Sequence, residues 1–92
     1  MLSRSVIVAN KLGLHARAAA QFVHLASRFQ SSVKVTRGAQ TMDGKSIMGI
    51  LLLAAATGTV LLVSTDGEDE QAALDALCGL VDNRFGEDPC SA

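Results

Sequence analysis

The spacing of hydrophobic residues changes repeatedly along this 92-residue chain, and that alternation limits the folds it can form. β-branched or alternating stretches predict four short strands, over residues 4–10, 33–37, 40–42 and 59–65. The second and third strands form a hairpin, because only a two-residue turn separates them. Helical spacing appears after the first, third and fourth strands, so the predicted order is β-α-β-β-α-β-α.

Apolar residues that recur every three or four positions predict the three helices. The first begins after His15 and ends near Phe29, with an apolar face of Ala16, Ala19, Ala20, Val23 and Ala26. The second is capped by Ser46 and runs to about Ala55. The third opens in the acidic stretch 68–70, where the helix dipole favours negative charge. Its expected core side chains are Ala73, Leu74, Leu77, Cys78 and Val81.

Helices that are apolar on one side must cover a sheet, which predicts the α+β class. We expect one domain over residues 1–92: a four-stranded antiparallel sheet covered on one face by three helices. The ordered part is expected over roughly residues 2–86, followed by a polar tail. With three Phe and no Tyr or Trp, the modest core of this domain must be mainly aliphatic.

Charge is distributed unevenly along the chain. Residues 1–65 hold seven of the eight Lys and Arg residues and a single acidic residue, Asp43. Residues 66–92 hold the other eight acidic residues and one basic residue, Arg84. This asymmetry fits a basic face that meets an acidic partner or an anionic ligand, and it fits equally two lobes that neutralise each other.

Composition argues against several protein classes. Cys78 and Cys90 are too few for a disulfide framework and lack metal-ligand spacing, so reduced thiols in a cytoplasmic protein and no metal are expected. No signal peptide is expected at the start of the chain. The uncharged run 47–63 approaches the length of a membrane span, but Thr-Gly-Thr at 57–59 predicts a turn inside it, so membrane insertion is not expected.

His15 is the main candidate for chemistry. It lies where a loop containing Gly13 meets the first helix, at a capping position usually held by Ser, Thr, Asp or Asn. Free N–H groups at a helix start stabilise an attached phosphoryl group, and neutral imidazole is a good nucleophile near pH 7. Arg17 could hold phosphoryl oxygens with its planar guanidinium. An inert loop histidine is the alternative, and His24 in mid-helix is expected to be inert.

Ser46 is the second candidate site. Its hydroxyl has a structural role as a helix cap, but a phosphate would also be tolerated there. Such a phosphate would add negative charge to a surface rich in Lys11, Arg17 and Lys45, and would repel acidic partners. The neighbouring apolar residues that either dock a partner or join the core are Ile47, Met48 and Leu51.

Two motifs carry a family resemblance. Gly-Leu-His-Ala-Arg at 13–17, followed by Ala19, resembles the active-site signature of HPr, the histidine-containing phosphocarrier of the bacterial sugar phosphotransferase system. Gly-Lys-Ser-Ile-Met-Gly-Ile at 44–50 resembles the regulatory-serine segment of that family. Their separation also matches, and the resemblance covers roughly residues 4–86. It implies the family fold, an open-faced β-sandwich of βαββαβα order.

The resemblance implies a carrier function without a cofactor. The histidine that matches His15 is phosphorylated on Nδ1 by phosphorylated enzyme I and passes the group to an enzyme IIA domain. The residue that matches Arg17 assists, and the backbone of Ala16 and Arg17 supports the phosphate. In many members an HPr kinase/phosphorylase modifies the serine that matches Ser46. The residues themselves offer one nucleophile and no surrounding machinery, which suits a carrier and not an enzyme. The sequence gives no direct sign of oligomerisation, so a monomer is expected.

One departure from the family pattern concerns Ala18, since the family usually has proline there. Alanine loses the fixed φ of proline but remains a good helix former, so phosphoryl transfer is expected to persist. A nitrogen-regulatory branch of the family is an alternative role. The ending Arg-Phe-Gly-Glu-Asp at 84–88 resembles proteobacterial members, where either role occurs, whereas the intact segment 45–48 favours kinase-regulated HPr.

Two functions of other classes compete with a carrier. The βαββαβ order and the basic first part resemble an RNA-binding fold, which needs aromatic side chains on its strands. Here Phe22 and Phe29 fall in a helix and Phe85 near the tail, so no nucleic-acid partner is expected. A signalling adaptor could instead bind targets through residues 47–51 without using His15.

Overall fold

The computed structural model describes residues 1–86, in which four strands form a single sheet. They are β1 (Leu2–Ile7), β2 (Ser32–Arg37), β3 (Gln40–Asp43) and β4 (Val60–Asp66). Their order across the sheet is β1-β4-β2-β3, and every neighbouring pair is antiparallel. The predicted polar tail, with Cys90 and the acidic pair 87–88, lies outside the described residues.

Three helices complete the domain and confirm the predicted class. They are α1 (Ala16–Ala26), α2 (Ile47–Leu52) and α3 (Glu70–Asp82), followed by a short 3₁₀ turn at Arg84–Gly86. The five side chains predicted for the core face of α3 are all buried. His24 was predicted to be a surface or half-buried residue in mid-helix; it is exposed and lies in the last turn of α1, because the helix ends earlier than predicted.

Alternating burial along the central strands shows that the helices cover one face of the sheet. Val33 and Val35 in β2, and Leu61 and Val63 in β4, are buried, whereas their sequence neighbours are exposed or half-buried. Period-two burial is the mark of a sheet with one covered face. On the opposite, open face the side chains of Ile7, Val60 and Leu62 remain exposed.

The first strand lies earlier in the chain than residues 4–10, where it was predicted. Its pairing with β4 places Leu2 opposite Thr65 and Ile7 opposite Val60. The chain then leaves the regular ladder, and Asn10 is fully buried in the following loop. The polar residue Asn10 therefore belongs to the loop before α1 and not to a strand.

The first helix ends at Ala26 and not near Phe29, because the following residues form a tighter turn. The N–H groups of Arg28 and Phe29 donate to carbonyls three residues back, the 3₁₀ pattern that often closes an α-helix. The apolar face also differs at its start, since Ala16 is exposed whereas Ala18 and Phe22 are buried.

The second helix ends at Leu52 and not at about Ala55. Ala54 has φ +49°, a left-handed conformation that stops the helix. The carbonyl of Ala55 then accepts a hydrogen bond from the N–H of Leu14, at 2.9 Å. Alanine favours helix, but here the alanine run 54–56 leaves the helix, and the loop before α1 packs against it.

Ion pairs show that the two charged halves partly neutralise each other. Arg4 contacts Asp75 of α3 at 2.8 Å, and the N-terminal amine lies 3.4 Å from Glu70. Lys11 in the loop after β1 and Arg17 in α1 are exposed. Arg4 therefore meets an acidic side chain of the fold, as neutralising lobes predict, while the acidic partner or anionic ligand of a basic face stays a prediction.

Candidate functional site

The loop that carries His15 is fixed by hydrogen bonds within itself and to residues 54–58. The Asn10 side-chain amide donates to the carbonyl of Gly13 at 2.7 Å, and the Gly13 N–H donates back to Asn10 at 3.2 Å. The Thr57 hydroxyl donates to the carbonyl of Lys11 at 2.9 Å. These contacts set the point at which the chain enters α1.

Gly13 is required by both conformation and space. Its φ is +68°, which side chains with a Cβ rarely adopt. A Cβ at this position would also lie 2.6 Å from the carbonyl oxygen of Ala55. Glycine therefore lets the loop pack closely on the segment after α2, which places His15 at the end of the sheet.

His15 is the N-cap of α1 and is half-buried. Its backbone is extended, with φ −81° and ψ 178°, and its carbonyl accepts the first helical bond from Ala19 at 2.9 Å. The imidazole Nδ1 accepts a hydrogen bond from the Arg17 N–H at 3.2 Å. A nitrogen that accepts must carry a lone pair, so the ring proton of the neutral imidazole is on Nε2. The nucleophilic nitrogen therefore faces the N-terminus of the helix.

The surroundings of Nδ1 favour an anionic group. The first turn of α1 contains no acidic residue, and its backbone N–H groups and dipole attract negative charge. Arg17 and Ala16 are exposed beside His15 in the chain. The structure thus brings the predicted residues His15, Ala16 and Arg17 together at one helix start.

Ser46 is the N-cap of α2 and is half-buried. Its hydroxyl accepts a hydrogen bond from the Gly49 N–H at 3.1 Å, the cap predicted from the sequence. Neighbouring Lys45 donates from Nζ to the carbonyl of Phe29 at 2.8 Å. Lys45 is therefore tied to the end of the turn after α1, while Lys11 and Arg17 are exposed.

The apolar residues around α2 divide into exposed and packed positions. Ile47 and Met48 are 39% and 68% exposed, whereas Leu51 is half-buried and packs against the core. Sequence reasoning missed two exposed leucines, Leu52 at 58% and Leu12 at 69%. Helical spacing was the available signal for Leu52, since it lies four residues after Met48 and so on the same face. We name Ile47, Met48 and Leu52, the three exposed apolar residues of α2, the apolar patch.

Some kinds of site are absent from the part of the chain that the structure describes. Residues 1–86 contain no group of three His, Cys, Asp or Glu side chains that could hold a metal ion. No helix within the same residues is both long and apolar enough to cross a membrane. Cys78 is a free, buried cysteine, and burial raises the pKa of its thiol, which disfavours the reactive thiolate.

Comparison with known proteins decides the family. The profile described as the PTS HPr component phosphorylation site matches residues 2–83. The chain belongs to the HPr family. The phosphocarrier protein HPr of Cupriavidus necator is 53% identical over 87 residues, which are 95% of this chain and 98% of that protein. The family model and relatives of this similarity make the chain a phosphocarrier of the phosphotransferase system and not a stand-alone catalyst.

Solved structures of HPr proteins share the fold. The crystal structure of HPr from Thermoanaerobacter tengcongensis superposes with a TM-score of 0.92, at 42% identity over 96% of this chain and 99% of that one. A dimer of HPr from the same organism also matches, with a TM-score of 0.76, at 42% identity over 95% of this chain and all of that one. The monomeric state expected from the sequence stays a prediction.

The nitrogen-type branch is also represented among the relatives. The phosphocarrier protein NPr of Shewanella violacea is 42% identical over 86 residues, which are 94% of both chains. The identity to HPr of Cupriavidus necator is higher, but both relatives cover nearly the whole chain. The comparisons therefore show the family and its carrier role, which the two branches share.

Proposed function

We propose that His15 accepts a phosphoryl group on Nδ1 from phosphorylated enzyme I and passes it to an enzyme IIA domain. The observation that carries this proposal is the hydrogen bond from the Arg17 N–H to Nδ1. It places a nitrogen lone pair at the positive end of α1, where the dianionic phosphoryl group is stabilised. His24 is exposed on the same helix but lies in its last turn, away from that end.

The transfer step balances without a cofactor. The Nδ1 lone pair of His15 attacks the phosphorus atom, and the bond that joins phosphorus to the donor group of enzyme I breaks. The electron pair of that bond stays with the donor group. The proton on Nε2 of His15 stays in place, so the positive charge that the donor group loses appears on the imidazole ring of His15. The product is a phosphoramidate at His15. In the second transfer phosphorylated His15 is the donor, and enzyme IIA accepts the phosphoryl group.

Arg17 and the helix backbone serve the phosphoryl group in different ways. The Arg17 N–H lies next to Nδ1 and is positioned to donate to a phosphoryl oxygen once the lone pair is used. The Arg17 side chain is exposed, so its guanidinium can contact the phosphoryl group from the solvent side while the group passes between the two proteins. The N–H of Ala16 adds a donor from the same helix turn.

Transfer from phosphoenolpyruvate through enzyme I tests this proposal. Wild type, His15→Ala and His24→Ala are incubated with labelled phosphoenolpyruvate and enzyme I. Wild type and His24→Ala should be labelled with an acid-labile, base-stable group, and His15→Ala should stay unlabelled. Label on His15→Ala, or loss of label from His24→Ala alone, would place the acceptor elsewhere.

We further propose that Ser46 is a regulatory phosphorylation site for an ATP-dependent HPr kinase/phosphorylase. Support comes from its half-buried hydroxyl at the start of α2 and from the neighbouring residues Ile47 and Met48 of the apolar patch, which a phosphate would flank. ATP and the kinase should label wild type but not Ser46→Ala.

A nitrogen-type role in the cytoplasm is the second candidate, favoured by the similarity to NPr. Transfer to sugar-specific rather than nitrogen-type enzyme IIA domains distinguishes the two.

The apolar patch, with Leu51 at its edge, is the proposed docking surface for both enzymes. Neighbouring aliphatic side chains that stay exposed on one helix commonly mark a protein interaction site. Met48→Ala should raise the KM of enzyme I for the carrier several-fold and leave the acid lability of the product unchanged. Val60→Ala is the matched control, because Val60 is exposed like Met48, at 57% against 68%, but lies on the open face of the sheet. Equal effects of the two substitutions would argue against this surface.

A further inference from the structure

The start of α1 has a definite number of backbone donors. The N-cap and the first three helical residues have N–H groups without a partner inside the helix. The His15 N–H donates to Gly13 at 3.0 Å, and the Arg17 N–H donates to Nδ1 of His15. Within residues 1–86, the N–H groups of Ala16 and Ala18 donate no hydrogen bond.

The two remaining donors differ in their access to water. Ala16 is exposed, so water can hydrate its N–H. Ala18 has 0% exposure, so in the unphosphorylated protein water does not compensate for the missing acceptor. A buried N–H without an acceptor is rare in proteins and costs free energy comparable to a lost hydrogen bond. Ala18 therefore holds an unsatisfied donor three residues from the nucleophilic histidine.

Phosphorylation of His15 changes the number of acceptors at this helix start. The Nδ1 lone pair becomes part of the N–P bond, so the Arg17 N–H loses its acceptor. The phosphoryl group brings three terminal oxygens to the same place, and each can accept. The N–H groups of Ala16, Arg17 and Ala18 all belong to the first helical turn, where N–H groups point towards the N-terminus, so the number of donors there equals the number of new acceptors.

We infer that the Ala18 N–H is a third backbone donor to the phosphoryl group on His15. The inference rests on the proposed phosphorylation of His15. A proline at this position, usual in the family, has no N–H and would supply two backbone donors in place of three. Alanine at position 18 therefore gives this chain a phosphohistidine with one more hydrogen bond, which favours the phosphorylated carrier in its equilibrium with enzyme I.

Ala18→Pro and Ala18→Gly form a matched pair for testing the inference. Proline removes the N–H and is tolerated in the first helical turn, whereas glycine changes the side chain and keeps the N–H. The equilibrium constant for transfer from phosphorylated enzyme I should fall about tenfold in Ala18→Pro, as expected for one hydrogen bond to a charged group. It should change less than about twofold in Ala18→Gly.

An amide measurement on wild type makes the test independent of any substitution. In ¹⁵N-labelled wild type, phosphorylation should move the Ala18 amide proton resonance strongly downfield and slow its exchange with solvent, together with the amides of Ala16 and Arg17. If wild type is phosphorylated but the Ala18 amide does not respond, or if proline and glycine variants share one equilibrium constant, the third donor is refuted and the carrier function stands. If wild type takes no phosphoryl group from enzyme I, the proposed function falls and the inference falls with it.

Discussion

The starts of α1 and α2 offer two helix caps of similar geometry and different chemistry. Nδ1 of His15 accepts from the second residue of its helix at 3.2 Å, and Oγ of Ser46 accepts from the third residue of its helix at 3.1 Å. Serine is among the preferred N-cap residues, whereas histidine is not. Both side chains are half-buried.

The difference between the caps lies in what holds them in place. Ser46 follows local rules, since a short polar side chain precedes an apolar helical run. His15 is held by contacts that are distant in sequence, above all the packing of Gly13 on Ala55 and the hydrogen bond from Leu14 to the same residue. A residue that breaks a local rule and is supported by tertiary contacts is typical of a functional site.

Asparagine at each N-cap position should separate the role of a nucleophile from the role of a helix cap. His15→Asn puts a preferred N-cap residue at α1, so it should raise the free energy of unfolding by up to about 1 kcal/mol while phosphoryl transfer falls to background. Ser46→Asn should leave both quantities nearly unchanged. Label transfer and urea unfolding measure the two effects. Residual transfer in His15→Asn, or loss of transfer in Ser46→Asn, would reverse the assignment of roles.

Gly13 tests the support of the histidine cap. Gly13→Ala should lower the free energy of unfolding by about 3 kcal/mol, because it combines a left-handed alanine with a contact of its Cβ on the carbonyl of Ala55. It should also slow phosphoryl transfer, since the loop that positions His15 must shift. Thermal unfolding and transfer kinetics give the two readouts.

Gly58→Ala is the control for the conformational part of that effect. Gly58 has φ +91°, but a Cβ there would meet no atom within 4 Å among the residues that the structure describes. Gly58→Ala should lower the free energy of unfolding by about 1 kcal/mol and leave phosphoryl transfer unchanged. Equal destabilisation by the two substitutions would show that the packing of Gly13 on Ala55 has no special role.

Ser46 should contribute to stability but not to transfer chemistry. Ser46→Ala removes the hydroxyl that accepts from Gly49, so the free energy of unfolding should fall by about 1 kcal/mol. Ser46→Asp keeps a cap and adds a negative charge beside Ile47 and Met48. It should raise the KM of enzyme I for the carrier with stability retained. If Ser46→Ala slows transfer more than Ser46→Asp does, the comparison of the two caps fails.

Asp69 is the N-cap of α3, but its carboxylate accepts hydrogen bonds from the segment after α1 and not from its own helix. Hydrogen bonds from the Ser31 hydroxyl and the N–H groups of Gln30 and Ser31 lower the pKa of Asp69 from 3.8 to about 2. Because the folded state favours the carboxylate, its stabilisation is complete above about pH 4 and is lost as the pH falls towards 2. The urea midpoint of wild type should therefore fall more steeply than that of Asp69→Asn between these pH values. Parallel slopes would contradict this role of Asp69.

The order of elements could be predicted from the sequence because the hydrophobic period changes clearly along the chain. The same pattern gave the buried face of α3 and the caps His15 and Ser46. These features depend on neighbours within one or two helical turns. The family resemblance added the carrier role and the Nδ1 chemistry, which spacing alone does not supply.

The ends of elements depended on contacts that are far apart in sequence. Alanine at positions 54–56 favours helix, yet Ala54 adopts a left-handed φ so that Ala55 can accept from Leu14. The turn after α1 is held at Phe29 by Lys45 and at the next two residues by Asp69. Neither partner is visible in the local pattern, so helices α1 and α2 were predicted three residues too long.

The position of the phosphoryl group on the histidine ring tests the central claim most directly. Wild type is phosphorylated through enzyme I, and long-range ¹H–¹⁵N and ³¹P spectra of histidine-labelled protein identify the nitrogen that is bonded to phosphorus. We predict a single phosphohistidine, on Nδ1 of His15. Phosphorus on Nε2, or on His24, would contradict it, because only Nδ1 of His15 faces the donors at the start of α1.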